Sequence, residues 1–362
     1  MTDAIRERSR ANLGGAREAD AATPSTRAAT GSGATKRSAP SYDRVADSPQ
    51  YLQFLANVGK HAEAERPVRV SEAERTAAAA AGQAAVATQE RLDSFRAHFS
   101  GPYEVDGQTV EARPMFRMNG GANEATGLAH EAALRAICAK AKVPDVAVGN
   151  ARVGRPTPGQ LRQVTQALID AGKLPPGLDS SRETRIRQMQ WTWGIGVDCA
   201  GYTEQAARAA RGAKAERPTH GDAFTGLAHD PKMRKIDVAR IRPGDVIHLD
   251  PPTARDVGHN VVVYDRHVAS AAERARMSAA AGPKAAELFA GKGPFHVLEV
   301  DSSWGAGVDG GDHGGFRRDT WVYDEGSFTW GYFDGKSKAF HTSETGPHDE
   351  PYMGAFRPKG TP

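Results

Sequence analysis

The pattern of apolar and polar residues separates an N-terminal segment from the rest of the chain. Residues 1–48 contain a single aromatic residue, Tyr42, and residues 21–40 consist only of Ala, Thr, Ser, Gly, Pro, Lys and Arg. Such a segment cannot bury enough apolar surface to offset the conformational entropy that folding removes. We therefore expect residues 1–48 to be a disordered leader, either an export or loading signal or a plain tail.

Helical patterns follow after residue 70. A first helix is predicted from Ser71, which has capping-box spacing to Glu74, to about Gly101. A second is predicted over residues 124–142, with an apolar stripe of Leu128, Leu134, Ile137 and Cys138. The third has the clearest ends, because Thr157 is a good N-cap, Pro158 suits the first turn and Gly172 suits the stop.

After about residue 185 the pattern becomes strand-like, and all five tryptophans lie in this part of the chain. Strands are predicted at residues 245–249, 259–264, 295–300, 320–323 and 328–333, the last two joined by a hairpin connection at 324–327. The Ala-rich residues 269–290 are typical of a helical insertion. Helices followed by an antiparallel sheet predict an α+β fold.

A chain of 362 residues exceeds what one hydrophobic core usually organises, so we divide it into segments. The predicted segments are a leader at 1–48, a helical accessory region at 49–148, a main domain at 149–340 and a C-terminal tail at 341–362. The accessory region is either a targeting or gating domain or packing support for the main domain.

Composition and charge exclude several classes of protein. Hydrophobic residues make up 39% of the chain, and no stretch approaches the ~20 apolar residues that span a bilayer, so no membrane partner is expected. The N-terminus has no apolar Sec signal sequence, so we expect a cytoplasmic protein until it is released or exported by a non-Sec route. The net charge of +3 equals the surplus of residues 1–40, which argues against a nucleic-acid partner.

The two cysteines are predicted to differ in character. Together they cannot form a disulfide framework or a four-thiolate zinc site. Cys138 lies on the second predicted helix and is expected to be a buried apolar residue. Cys199 follows Asp198, a good N-cap, at the predicted start of a helix that ends near Gly212. The positive end of a helix stabilises a thiolate, and Gly201 would keep the first turn open to a substrate, so Cys199 is a candidate nucleophile.

A thiolate nucleophile needs a histidine and a third polar group that orients the ring. His259 lies at the start of a strongly apolar predicted strand, and Glu299 and Asp301 share one face of the next. Either carboxylate could orient His259. The residues Asp312 and His313, together with His248, His267 and His296, lack the spacing of a metal motif, so neither a metal nor a cofactor is expected.

Three segments resemble the NlpC-like cell-wall peptidases, a family of papain-like cysteine hydrolases. Residues 198–202 (Asp-Cys-Ala-Gly-Tyr) resemble the family's Asp-Cys-Ser-Gly-Phe box, and Trp193 and Gly194 precede it as an aromatic-Gly approach. Residues 243–247 resemble its Pro-Gly-Asp turn, and residues 258–264 its His-Val-Gly-Ile-Tyr strand. The resemblance covers about residues 188–305.

The resemblance implies a papain-like domain at 149–340, in which a half-barrel sheet packs against the helix that carries Cys199. It further implies that Cys199 is the nucleophile, that His259 is the base and that Glu299 or Asp301 is the third residue. The residues expected to contact substrate are Asp198, Trp193 and Trp304. The chain departs from the family at Ala200, at the His-Asn start of the strand, at Glu299 and in the long insertion.

The substrate that the resemblance implies is the peptide part of peptidoglycan, cut by an endopeptidase or amidase. Without a Sec signal, such a protein would be an antibacterial effector, with a secretion apparatus or an immunity protein as partner, or a phage-like lytic enzyme. Two alternatives stay open: a protein-modifying enzyme such as a deamidase, acyltransferase or transglutaminase, and a catalytically inactive binding module.

Overall fold

The structure, a computed structural model, combines helices with a large antiparallel sheet, which confirms the predicted α+β class. All described residues belong to one compact unit, Val58–Pro362. The described residues are 72–118, 123–177, 180–213, 233–249, 258–291, 293–305, 314–333, 339–344, 346–347 and 352–359. The predicted leader at 1–48 and the predicted cap at Ser71 lie outside these ranges.

Helices precede the sheet and also interrupt it. The α-helices of the described chain are α1 (Glu72–Phe99), α2 (Glu124–Lys140), α3 (Asp145–Arg152), α4 (Pro158–Asp170), α5 (Arg182–Thr192), α6 (Cys199–Ala210), α7 (Ala271–Ala281) and α8 (Ala286–Ala290). The three predicted N-terminal helices correspond to α1, α2 and α4, and the predicted insertion contains α7 and α8. Sequence patterns did not indicate α3 and α5.

Within the described residues, eight strands form one antiparallel sheet, and β1 and β2 form a separate hairpin. The order in the large sheet is β3-β10-β4-β5-β6-β7-β8-β9. The strands are β1 (Tyr103–Val105), β2 (Gln108–Val110), β3 (Met233–Ile236), β4 (Val246–Leu249), β5 (His259–Val268), β6 (Phe295–Trp304), β7 (Gly315–Asp324), β8 (Thr329–Phe333), β9 (Phe340–Ser343) and β10 (Tyr352–Pro358).

The two faces of the sheet are covered by different cores. The helix face carries Val262 of β5 and Phe316 of β7, which share a core with helix residues such as Tyr202 of α6. The opposite face, called the tryptophan face, carries Val261, Val263, Trp304, Trp321 and Trp330. Successive side chains of a strand point to opposite faces, so the position of a residue along its strand decides which core it joins.

Residues 341–343 and 352–358 are part of the sheet, which corrects the predicted tail at 341–362. Strand β10 lies between β3 and β4 and pairs antiparallel with both. Arg357 of β10 donates two hydrogen bonds to the buried carboxylate of Asp245, at 2.8 and 2.7 Å. The short run of residues 352–358 contains Gly354 and ends at Pro358, so its local pattern did not indicate an inner strand.

The described part of the accessory region shares a core with the helix that carries Cys199. Leu92, Phe95 and Phe99 of α1 and Leu134 of α2 lie in the same buried cluster as Tyr202 and Ala206 of α6. The rings of Phe95 and Tyr202 are 5.6 Å apart. Helices α1 and α2 therefore support the packing of α6. Within the described chain, no helix is both long enough and apolar enough to cross a membrane.

Helix α2 offers a matched pair of leucines that tests this core. Leu134 is fully buried, whereas Leu128, predicted on the same apolar stripe, is 54% exposed. We expect Leu134→Ala to lower the free energy of unfolding by about 2–5 kcal/mol, because it leaves a cavity. Leu128→Ala should change it by less than ~0.5 kcal/mol. Urea unfolding of both variants measures the difference, and equal losses would contradict the assignment of Leu134 to the core.

Candidate active site

Cys199 is the first residue of α6, as predicted, and its side chain is buried. The Asp198 side chain caps the helix by accepting a hydrogen bond from the Gly201 amide. The thiol is therefore adjacent to the first-turn amides at the positive end of a twelve-residue helix. This is the environment in which a thiolate is stabilised.

The chain before Cys199 is fixed from two sides. The Val197 amide donates to the Met115 carbonyl at 2.9 Å, and the Asp198 amide donates to the Gly154 carbonyl at 2.8 Å. The Ser303 hydroxyl of β6 donates to the Val197 carbonyl at 2.7 Å. The start of α6 is thus attached to the sheet on the helix face.

Gly201 has a structural role, which differs from the expected opening for substrate. A Cβ at this position would lie 2.3 Å from the Gly154 carbonyl oxygen and 3.1 Å from the Arg155 Cα. The missing side chain therefore allows the loop at Gly154 to approach the first turn of α6. That loop closes this side of the helix start.

A carbonyl group on β5 joins α6 to the sheet. The main-chain oxygen of Asn260 accepts hydrogen bonds from the Thr203 hydroxyl of α6 at 3.0 Å and from the Ser302 hydroxyl of β6 at 2.6 Å. Thr203 lies one helical turn after Cys199. The start of β5 and the start of α6 are thereby held at one place on the sheet.

His259 is the first residue of β5, and its side chain lies on the tryptophan face. Its ring stacks on the ring of Trp304, with centroids 3.8 Å apart. The guanidinium of Arg317 lies 4.5 Å from the Trp304 ring centroid. Because His259 alternates with Val261 and Val263 of the tryptophan-face core, its side chain leaves the strand on the face opposite α6.

A buried histidine that the structure brings to the helix face is His248 of β4. Its Nδ1 atom is 2.9 Å from the Oδ1 atom of Asn260, the residue paired with it across β4 and β5. Both side chains are buried. The sequence spacing argued against His248 only as a metal ligand, and Asn260 belongs to the His-Asn start at which the strand departs from the family motif.

The spacing of residues in the sequence could have indicated the pairing of His248 with Asn260. In the strand His-Val-Gly-Ile-Tyr the histidine lies four residues before the tyrosine, and here Asn260 lies four residues before Tyr264. A register counted back from Tyr264 therefore aligns Asn260, and not His259, with the histidine of that motif. On β4, His248 alternates with Val246 and so faces the same way as its partner Asn260.

Neither predicted carboxylate lies at His259, which corrects the expected third residue. Asp301 is opposite Val262, three residues or about 10 Å along the strand from His259. Glu299 is opposite Asp265, six residues or about 20 Å away. Both also belong to the helix face, since they alternate with Leu298 and Val300 of the tryptophan-face core.

Asp301 instead belongs to a buried ion cluster. Arg318 donates to both of its carboxylate oxygens, at 2.9 and 2.8 Å, and Arg96 of α1 donates to one of them at 3.3 Å. Arg318 also contacts the exposed Asp93 at 3.0 Å. The cluster fastens α1 to β6 and β7, which is a structural role.

The other predicted contact residues are buried as well. Trp193 is the C-cap residue of α5 and lies in the helix-face core. The centroid of its ring is 4.9 Å from that of His130. Trp304 is 2% exposed and belongs to the tryptophan-face core. Both residues are therefore core aromatics in this structure, and their predicted substrate contacts stay untested.

The electrostatics of the site are set by burial. Burial raises the pKa of Asp198 to about 7, against the opposing effects of the Gly201 amide and of Arg155, whose Nε atom is 3.5 Å from the carboxylate. A partly neutral Asp198 opposes a neighbouring thiolate less than a full carboxylate would. Burial raises the pKa of Cys138 to about 11, which makes this second thiol a poor nucleophile at neutral pH.

Within the described ranges, no group of His, Cys, Asp and Glu side chains has the arrangement of a metal site. Comparison of the sequence with family models and with curated proteins, and of the structure with solved structures, finds no match.

The ion cluster predicts a separation of stability from reactivity. Asp301→Asn leaves two arginines without their buried carboxylate, so we expect it to lower the free energy of unfolding by about 3 kcal/mol. The labelling rate of Cys199 by iodoacetamide should stay unchanged. Asp93→Asn, at an exposed partner of the same arginine, should cost less than ~1 kcal/mol. A selective loss of Cys199 labelling in Asp301→Asn would contradict the structural role and favour Asp301 as a catalytic residue.

The raised pKa of Asp198 predicts a pH-dependent stability. Because the carboxyl group binds its proton more tightly in the folded state, its contribution is present near pH 4 and is lost as the pH rises towards 7. We expect the free energy of unfolding to fall over this range by up to ~1.4 kcal/mol per pH unit. Asp198→Asn, which preserves the cap, should flatten the slope. Asp106→Asn, at an exposed carboxylate, is the control. If Asp198→Asn leaves the pH dependence of the free energy of unfolding unchanged, Asp198 is not its source.

Proposed function

We propose that the protein is a cysteine hydrolase of the papain-like type, with the thiolate of Cys199 as nucleophile. The observation that carries the proposal is the placement of Cys199 at the start of α6, where hydrogen bonds from Thr203 and Ser303 attach the helix to the sheet. A helix with an N-terminal cysteine that packs on an antiparallel sheet is the layout implied by the resemblance of residues 198–202, 243–247 and 258–264.

The chemistry follows from this placement. The thiolate attacks the carbonyl carbon of an amide, and main-chain amides at the start of α6, the positive helix end, stabilise the resulting oxyanion. A histidine of the sheet, as imidazolium, gives its proton to the leaving nitrogen as the carbon–nitrogen bond breaks. Water, deprotonated by the same histidine, then hydrolyses the thioester and regenerates the thiol.

The proposed substrate is an amide bond in the peptide part of peptidoglycan, and this choice rests on the resemblance alone. A protein of this kind would act after non-Sec export as an antibacterial effector, or as a phage-like lytic enzyme. A secretion apparatus or an immunity protein would then be its partner. A deamidase, acyltransferase or transglutaminase would use the same thiol, and a binding module would use none.

Substitution of the two cysteines tests the proposal. We expect Cys138→Ala to keep rapid iodoacetamide labelling of Cys199 well below the ordinary thiol pKa of ~8.5, and to release new amino termini from purified peptidoglycan. Cys199→Ala and Cys199→Ser should lose the release. Mass spectrometry identifies the labelled sites and the new termini.

The outcomes separate the classes of protein. Ordinary thiol titration of Cys199 in the folded protein would refute the hydrolase and favour a binding module. Rapid low-pH labelling without new termini in peptidoglycan would retain the reactive thiol and favour a protein-modifying enzyme.

A further inference from the structure

We propose that the histidine serving Cys199 is His248, with Asn260 as the positioning residue of its ring, and that His259 has a structural role. The inference rests on the proposed function, since it names the proton-transfer group of that reaction. It departs from the assignment that the sequence resemblance implies.

The first argument is the face of the sheet. His248 pairs with Asn260 and Val246 pairs with Val262 across β4 and β5. Val262 packs in the core that contains Tyr202 and Ala206 of α6, so side chains two residues away along these strands also point to α6. His248 and Asn260 meet this condition.

The same alternation places His259 on the other face. It pairs with Leu249 and stacks on Trp304, and both of these residues belong to the tryptophan-face core. An imidazole on this face is separated from α6 by the sheet itself. Its ring contact with Trp304 is that of a packed aromatic pair.

The second argument is the direction of α6 over the sheet. At the end of the helix, Ala210 approaches the start of β4 so closely that a Cβ on Gly244 would lie 2.8 Å from the Ala210 Cβ. One turn after the helix start, Thr203 bonds to Asn260, which is paired with His248. The helix therefore runs antiparallel to β4, and Cys199 lies towards the strand end that carries His248.

The position of Cys199 relative to Thr203 brings the thiol to the same region. Residues four apart lie on one side of a helix, and their side chains lean towards its N-terminus. The helix rises about 6 Å over four residues, comparable to the reach of a histidine side chain from its strand. The geometry thus directs Cys199 and His248 to one corner between α6 and the sheet.

The hydrogen bond to Asn260 gives His248 a defined proton arrangement. The Oδ1 atom of an amide only accepts, so Nδ1 of His248 donates to it at 2.9 Å and carries the proton. Proton exchange then takes place at Nε2, which receives the proton of the Cys199 thiol and forms a thiolate–imidazolium pair. The imidazolium later gives that proton to the leaving nitrogen, so each proton has one source and one destination.

Asn260 is itself held firmly enough to position a ring. Its main-chain oxygen accepts from Thr203 and Ser302, and its side chain is almost completely buried. Asn260 therefore contacts the His248 ring through its side chain and α6 through its main chain, so it couples the orientation of the ring to the docking of α6 on β5.

The test compares the pH dependence of Cys199 labelling in wild type, His248→Gln, His259→Gln, Asn260→Ala and Asn260→Asp. We expect His248→Gln to lose labelling at pH 6 by at least ~10-fold, because the thiol returns towards its free pKa. His259→Gln should keep the wild-type profile. Asn260→Ala should lower the rate of Cys199 labelling at low pH. Asn260→Asp, which keeps an acceptor oxygen, should restore that rate. Asp198, the titratable neighbour of Cys199, is retained throughout.

A second measurement uses folded proteins without a change at either histidine. Histidine-labelled wild type and Cys199→Ser are titrated by NMR, and removal of the thiolate should lower the ring pKa of His248 and leave that of His259 unchanged. A drop at His259, or loss of Cys199 labelling at low pH in His259→Gln alone, would overturn the inference while the hydrolase stands. A wild-type Cys199 with an ordinary thiol titration would overturn the hydrolase itself.

Discussion

The main-chain oxygen of Asn260 is the point at which the helix and the sheet become one unit. It receives one hydrogen bond from α6 and one from β6, and both donors are buried hydroxyl groups. In a buried setting, a carbonyl that lost these donors would stay unsatisfied, at a cost of about 1–3 kcal/mol. The position of the Cys199 helix relative to the central strands is therefore constrained by satisfaction of polar groups as well as by apolar packing.

Buried charges complete the same architecture at a distance from the thiol. Asp301, with Arg318 and Arg96, joins the long helix α1 to β6 and β7, and Asp245 with Arg357 joins the turn before β4 to β10. Such pairs contribute little to net stability, but removal of one partner is costly, so they favour a single arrangement of strands and helices. The sheet is thus organised by specific polar contacts around a generic aromatic and aliphatic core.

Local chemistry was sufficient to predict most of the helices and the central strands, but not their relation in space. The capping box of Thr157 and the cap of Asp198 located α4 and α6, because these signals depend on neighbours in the chain. The face occupied by His259 depends on strand register, and a shift of one residue exchanges the two faces, so a box matched by its histidine alone does not determine the face of that side chain. The inner position of β10 depends on partners more than one hundred residues away, which no local pattern reports.

The placement of β10 also has a consequence for synthesis of the protein on the ribosome. Strand β4, which carries His248, has β5 on one side and β10 on the other, and β10 comes last in the described chain. A nascent chain that has released residues 199–304 already holds α6, β4, β5 and β6, yet the edge of β4 is open until residues 352–358 emerge. The middle of the sheet is thus closed late in translation, and a product truncated before residue 352 exposes an unpaired strand edge suited to aggregation.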